Sequence, residues 1–205
     1  MPLAREALPA AAGDDPLPPG APVTAPDAPV RRSRPSDSAV KLYGRIGSFF
    51  SADRGLTFEY QPIVDIRRAG RPAVAVECLA RGPRSTPLER PEALLRFFRE
   101  RGEAADLDGF LLLSAIADAA RLPGAPVVSF NVSGATAVEA GFPRRLLQLV
   151  EGFGMPTARV VLDVGVPASF PDPDRLAAHA RELRSEGLAV CFDEEGPFSS
   201  SFSLL

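Results

Sequence analysis

Four times along this chain a short apolar run ends abruptly in a side chain that carries oxygen. Residues 73–76, Ala-Val-Ala-Val, run into Glu77, with Arg81 four positions on. Val127, Val128, Ser129 and Phe130 run into Asn131, and Val160, Val161 and Leu162 into Asp163. Residues 188–192 run into Asp193, Glu194 and Glu195. From Glu77 to Asn131 the gap is 54 residues, then 32 to Asp163 and 30 to Asp193, and each of the last two fits one strand–helix unit. A buried strand followed at once by a carboxylate and a guanidinium is a poor way to build a core. It is a good way to hold a cation and a phosphate where parallel strands end. The repeat points to a β/α fold whose site lies at the C-terminal strand ends.

Strand parity supports this reading. Side chains alternate across a strand, so Ala73 and Ala75 share the side of Glu77, Val127 and Ser129 that of Asn131, and Ala189 and Cys191 that of Asp193. The other side holds Val74 and Val76, Val128 and Phe130, Val190 and Phe192. Small residues on the ligand side and bulky ones facing helices describe a crowded barrel interior. A plain α/β sheet whose strands end in polar loop starts gives the same local pattern.

The remaining segments frame these strands. Residues 1–35 hold nine of the 22 prolines and neither an aromatic residue nor an isoleucine, so they read as a disordered Pro/Ala-rich tail ending in the basic cluster Arg31, Arg32, Arg34. Residues 36–52 carry apolar groups at helical spacing (Leu42, Tyr43, Ile46, Phe49, Phe50) and predict an amphipathic lead-in helix. Residues 56–66 alternate as a first strand, and Pro62 within them marks an edge or a bulge. Helices are predicted over 91–101, 104–122, 142–153 and 171–186. Cys78 and Cys191 fall in or beside buried strands and read as reduced structural thiols, and His179 as a solvated helix residue. A net charge of −3 gives no reason to expect nucleic acid as a partner, and no apolar run reaches the length of about 20 residues that spans a bilayer. With no secretory leader at the N-terminus, the chain is expected in the cytoplasm.

With these residues laid out, the chain resembles the EAL domain family of cyclic di-GMP phosphodiesterases. Tyr60-Gln61-Pro62-Ile63 is similar to the family's first-strand motif, and Glu77-Cys78-Leu79-Ala80-Arg81 to its signature, with Cys78 in place of alanine. Asn131-Val132-Ser133 resembles the third-strand motif, Leu162-Asp163-Val164-Gly165-Val166 the fourth, and Asp193-Glu194-Glu195-Gly196-Pro197 the fifth. The likeness covers residues 56–205. It implies an incomplete (β/α) TIM-type barrel of about five strands. It also implies metal ligands at Glu77, Asn131, Asp163, Asp193 and Glu194, nucleotide contacts at Gln61 and Arg81, and Mg²⁺ or Mn²⁺ as the ion.

The departures from the family pattern bear on activity. Asp163 stands for a glutamate and Glu194 for an aspartate, and Val166 takes the place of a second glutamate. The strands that carry the family's lysine and last glutamates are not in this sequence. The resemblance thus implies no intact catalytic set and leaves enzymatic activity open. The expectation is a degenerate, truncated domain that binds cyclic di-GMP or a protein partner, with a second copy or another protein covering an open sheet edge. Alternatives are a phosphodiesterase completed by another subunit and the non-functional product of a shortened gene. Deleting residues 1–35 is expected to leave the thermal midpoint within about a degree, since exposed polar segments contribute little to stability. A shift of several degrees in a melting curve would show that the tail packs on the domain.

Overall fold

The computed structural model describes residues 43–51, 55–167 and 169–194. The tail over 1–35, the start of the lead-in helix and residues 195–205 lie outside the described residues. Within the described residues one five-stranded sheet runs in the order β1-β2-β3-β4-β5, with β1 at Thr57–Val64, β2 at Ala73–Arg81, β3 at Val128–Ser133, β4 at Val160–Val166 and β5 at Ala189–Glu194. β1 pairs antiparallel with β2, and the other neighbours pair parallel. Strand order that follows chain order without reversal is the winding of a barrel, whereas a doubly wound sheet turns back on itself. It therefore settles the choice that the local pattern left open. Pro62 lies on the edge strand, and the register slips between Ile63 and Val64, so proline costs the ladder little there.

Parallel neighbours need crossovers, and right-handed crossovers taken in one direction place their helices on one face. Helix α1 (Gly44–Ser51) precedes the sheet. Helices α2 (Pro91–Arg99) and α3 (Ala104–Ala119) follow β2. The short α4 (Gly134–Ala137) and α5 (Phe142–Gly152) follow β3, and α6 (Pro173–Ser185) follows β4. Prolines at the first turn of α2, α5 and α6 cost no helical bond there, and Asp172 caps α6 by accepting from the Arg175 N–H. No helix among the described residues is long and apolar enough to cross a membrane.

The core forms between these helices and the even-numbered residues of the central strands. Val76 and Cys78, then Val128, Phe130 and Val132, then Val160, Leu162 and Val164 are all buried there. They pack with Leu107, Phe110, Leu113 and Ile116 of α3. Parity holds in the centre and fails at the margins. Val74 and Phe192 sit on the same side but are exposed, with no helix among the described residues covering the start of β2 or the end of β5. Tyr60 and Cys78 also face the helices. The Tyr60 hydroxyl donates to Asp118 Oδ2 at 2.6 Å, and burial pushes both the phenol and the Cys78 thiol up, in keeping with an unreactive structural thiol. His179 is not simply solvated, since its Nδ1 lies 2.8 Å from the Ala137 carbonyl and ties α6 to α4.

An aromatic cluster seats α1. Phe50 stacks on Phe110 with ring centroids 5.2 Å apart, and Phe49 meets Phe98 edge-on at 5.3 Å. Tyr43 lies over Gly109 and edge-on to Phe110, and a Cβ at Gly109 would overlap the tyrosine ring. Phe110→Ala removes the centre of this cluster and is expected to cost about 3–5 kcal/mol in urea unfolding. A loss below about 1 kcal/mol would show that α1 rests on something else.

Candidate functional site

The sheet register places the sequence-predicted donors. Glu77 pairs with Ser129, Asn131 with Asp163, Asp163 with Cys191, and Gly165 with Asp193. Side chains that pair share a face, so Glu77, Asn131, Asp163 and Asp193 all stand on the side away from the core, and Gln61, which pairs with Glu77, joins them. They do not stand in one row of the ladder. Asn131 and Asp163 are one row of the face above Glu77, and Asp193 one row above that. Strands of a barrel with eight strands and a shear of eight are offset by about one residue per strand. A diagonal in the ladder is therefore close to level with respect to the barrel axis. That tilt lets donors from four strands meet at one mouth.

Glu77 and Asn131 meet directly. Asn131 Nδ2 donates to Glu77 Oε1 at 3.0 Å, which leaves the amide oxygen as an acceptor for another partner. Asp163 is half-buried. Burial and the negative charges of Asp193 and Glu77 push its carboxyl above the ordinary aspartate range. Burial and the Asp163 charge likewise push the Cys191 thiol up. Arg81 does not stand alone over the cleft. Its Nε donates to Glu59 Oε2 at 2.8 Å, and Glu59 pairs with Leu79, one row of the same face above Gln61 and Glu77. Glu194 closes β5, and its side chain lies outside the described residues.

These donors suit a hard divalent cation in kind, since all are carboxylate or amide oxygens. The like-charge crowding at Asp163 is the field such an ion relieves. Their arrangement is looser than a finished site, because no three acidic, histidine or cysteine side chains among the described residues close around a common point. Val166, in the position where the family pattern has a second glutamate, is partly buried against the core and offers no oxygen.

A cleft of about 720 Å³ opens beside these residues. Asn131, Asp163 and Asp193 are among its lining residues, as are Leu94, Leu107 and Leu111 of α2 and α3. Two residues here escape a reading of the sequence alone. Glu59 could have been found by parity, as it shares the face of Gln61. Asp108 could not, because an acidic residue in a helix carries no signal of what it touches. Its Oδ2 accepts from the Ser133 backbone N–H at 3.2 Å, from the Ser133 hydroxyl, and from the Thr136 hydroxyl at 2.8 Å.

Because the folded carboxyl of Asp163 sits above its unfolded value, ionising it costs stability as pH rises through the ordinary carboxylate range. Below that range both states are protonated and nothing is lost. Asp163→Asn is therefore expected to raise the thermal midpoint at about pH 7, with the gain vanishing near about pH 3. An unchanged or lower midpoint at neutral pH would show that the carboxylates are not crowded.

Comparison with known proteins gives a consistent picture. The EAL domain family model matches residues 48–205. The fold resembles that of a structure titled "PaMucR Phosphodiesterase, c-di-GMP complex", at 20% identity and TM-score 0.56, covering 72% of this chain and 62% of that one. It also resembles Klebsiella pneumoniae BlrP1 in a calcium and cyclic di-GMP complex, at 19% identity and TM-score 0.57, covering 73% of this chain and 36% of that one. The EAL enzyme Bd1971, bound to cAMP and cyclic di-GMP, matches at 20% identity and TM-score 0.59, covering 82% of this chain and 46% of that one. No curated protein matches. The chain spans less than two thirds of the length of each of these three structures. With the motif strands in family order and more than half its length matched, this chain belongs to the EAL domain family.

Proposed function

We propose that this chain is a cytoplasmic member of cyclic di-GMP signalling that binds cyclic di-GMP, or a protein partner, without hydrolysing the dinucleotide efficiently. The observation that carries this reading is the Glu77–Asn131 contact beside Asp163 and Asp193, with Val166 where a further carboxylate would complete the set. Mg²⁺ or Mn²⁺ fits the oxygen donors of Glu77, Asn131, Asp163 and Asp193, with Glu194 as a fifth candidate. Such an ion polarises phosphoryl oxygens and lowers the pKa of water held beside them. Asp163 is one methylene shorter than the family's glutamate, and small hard cations tolerate displaced ligands badly. A hydrolytic site weakened in this way still retains groups for binding.

The chain's own residues divide that task. Gln61 and Arg81 flank Glu77 from β1 and from the end of β2, where a guanidinium suits a phosphate. Arg81 must share or release Glu59 to meet one. The apolar lining of the cleft suits a flat base, and its acidic residues suit a phosphate only when a cation lies between. Among the described residues no strand pairs with the outer edge of β5, which favours a second copy or another protein as a further partner.

Titration calorimetry with cyclic di-GMP and Mn²⁺ tests this. Binding is expected, weakened about tenfold or more by Arg81→Ala, the loss typical of a charge-assisted hydrogen bond. Absence of heat at high micromolar dinucleotide would remove nucleotide binding and leave the protein partner. Turnover with Mn²⁺ at rates ordinary for an enzyme, about 1 per second or faster, would overturn the non-hydrolytic half.

A further inference from the structure

The strand end that carries Asn131 is held by a residue from another layer. Asp108 lies on α3, one turn ahead of the stretch that packs under β3. Its Oδ2 collects three donors from the turn that joins β3 to α4: the Ser133 N–H at 3.2 Å, the Ser133 hydroxyl, and the Thr136 hydroxyl at 2.8 Å. Ser133 in turn caps α4 by accepting from the Thr136 N–H at 3.3 Å. One half-buried carboxylate oxygen thus fixes both ends of the turn, and bonds to a charged acceptor are the strong kind. On the far side the turn has no slack. A Cβ on Gly134 would lie 2.7 Å from the Phe170 ring and 3.0 Å from Val166. Asn131 is two residues before Ser133 on the same face of the same strand. Within the register that the core sets, an anchor on Ser133 bears directly on how the Asn131 amide is presented to Glu77.

From this geometry we infer that Asp108 is a positioning residue. It anchors Ser133 and Thr136 so that Asn131 presents its amide to Glu77 and to the mouth of the cleft. It acts through Ser133. The inference concerns the same site as the proposed function and rests on Asn131 as a ligand-side group, but its first readout needs no ligand.

α3 is also the helix on which α1 rests, with Tyr43 over Gly109, the residue next to Asp108. The anchor is thereby tied to the aromatic core between α1 and α3, and a positioning group requires such packed support.

The test uses the full chain and the side-chain NH₂ resonances of Asn131, assigned by their loss in Asn131→Ala. In the wild type the pair is expected to be displaced from free-amide positions by the Glu77 bond, and in Asp108→Ala to move back towards them. Asp108→Asn, which keeps an acceptor oxygen in place, should restore most of the displacement. Mn²⁺ affinity, read by paramagnetic broadening, should fall about ten- to a hundredfold in Asp108→Ala, the range for groups that orient metal ligands. Unmoved Asn131 resonances in a folded Asp108→Ala protein overturn the inference. If that variant does not fold, Ser133→Ala and Thr136→Val, each removing one donor, decide it by the same shift. If even the wild type takes up no Mn²⁺, the metal reading fails, and the resonances still decide whether Asp108 positions Asn131.

Discussion

The parallel ladder between β3 and β4 is the constraint on which the rest depends. Six residue pairs run in register from Val128 with Val160 to Ser133 with Gly165. A slip of one residue would turn every side chain on the slipped strand to the other face. If β3 slipped, Phe130 would stand on the open face and Asn131 under the helices, and if β4 slipped, Leu162 and Asp163 would change places in the same way. Burying one such large apolar side chain is worth about 1.5–3 kcal/mol, and a buried carboxylate without a partner costs several more. Core and site are thus specified by the same alternation. The core needs no help from the site to hold this register, whereas the site could not exist without the core.

That coupling explains why so much is legible in the sequence. Alternation is local and has a period of two, so the strand ends at Glu77, Asn131, Asp163 and Asp193 can be read from a few residues each. The family motifs then order them. The margins are less legible. Val74 and Phe192 obey the alternation and yet are exposed, because their burial depends on whether a helix covers that stretch of sheet, which no strand pattern encodes. His179 reads as solvated because a helix pattern says nothing about the carbonyl of Ala137 lying 2.8 Å from its ring. Asp108 is invisible for the same reason. Its meaning lies in donors 25 and 28 residues away, on the far side of a crossover.

The two layers of polar groups around the sheet differ in kind. On the helix side Tyr60 and Asp118 satisfy each other within the core, and burial favours the neutral phenol and thiol. On the open side the pairings are partial. Asn131 offers Glu77 one of its two functions, Arg81 is held by Glu59 at the rim, and Asp163 is crowded by charges of its own sign. Groups left incompletely matched at the mouth of a fold are where ligands gain purchase, and groups matched within the core are where stability resides.

The charge pattern of the open face sets an order of events for anything that binds there. Glu77, Asp163 and Asp193 stand near one another, and burial of Asp163 weakens the solvent screening between them. The nearby guanidinium of Arg81 is already engaged by Glu59. A bare phosphodiester approaching this face meets repulsion first. A divalent cation meets attraction from every carboxylate at once, and relieves the crowding that raises the Asp163 pKa. An ion held there would offset most of the negative charge at the mouth, and Arg81 could then turn from Glu59 to an anion, exchanging one anionic partner for another. Cation before anion is therefore the sequence this electrostatic arrangement favours. Without such an ion, the same face would select cationic or neutral groups, as a protein partner could supply.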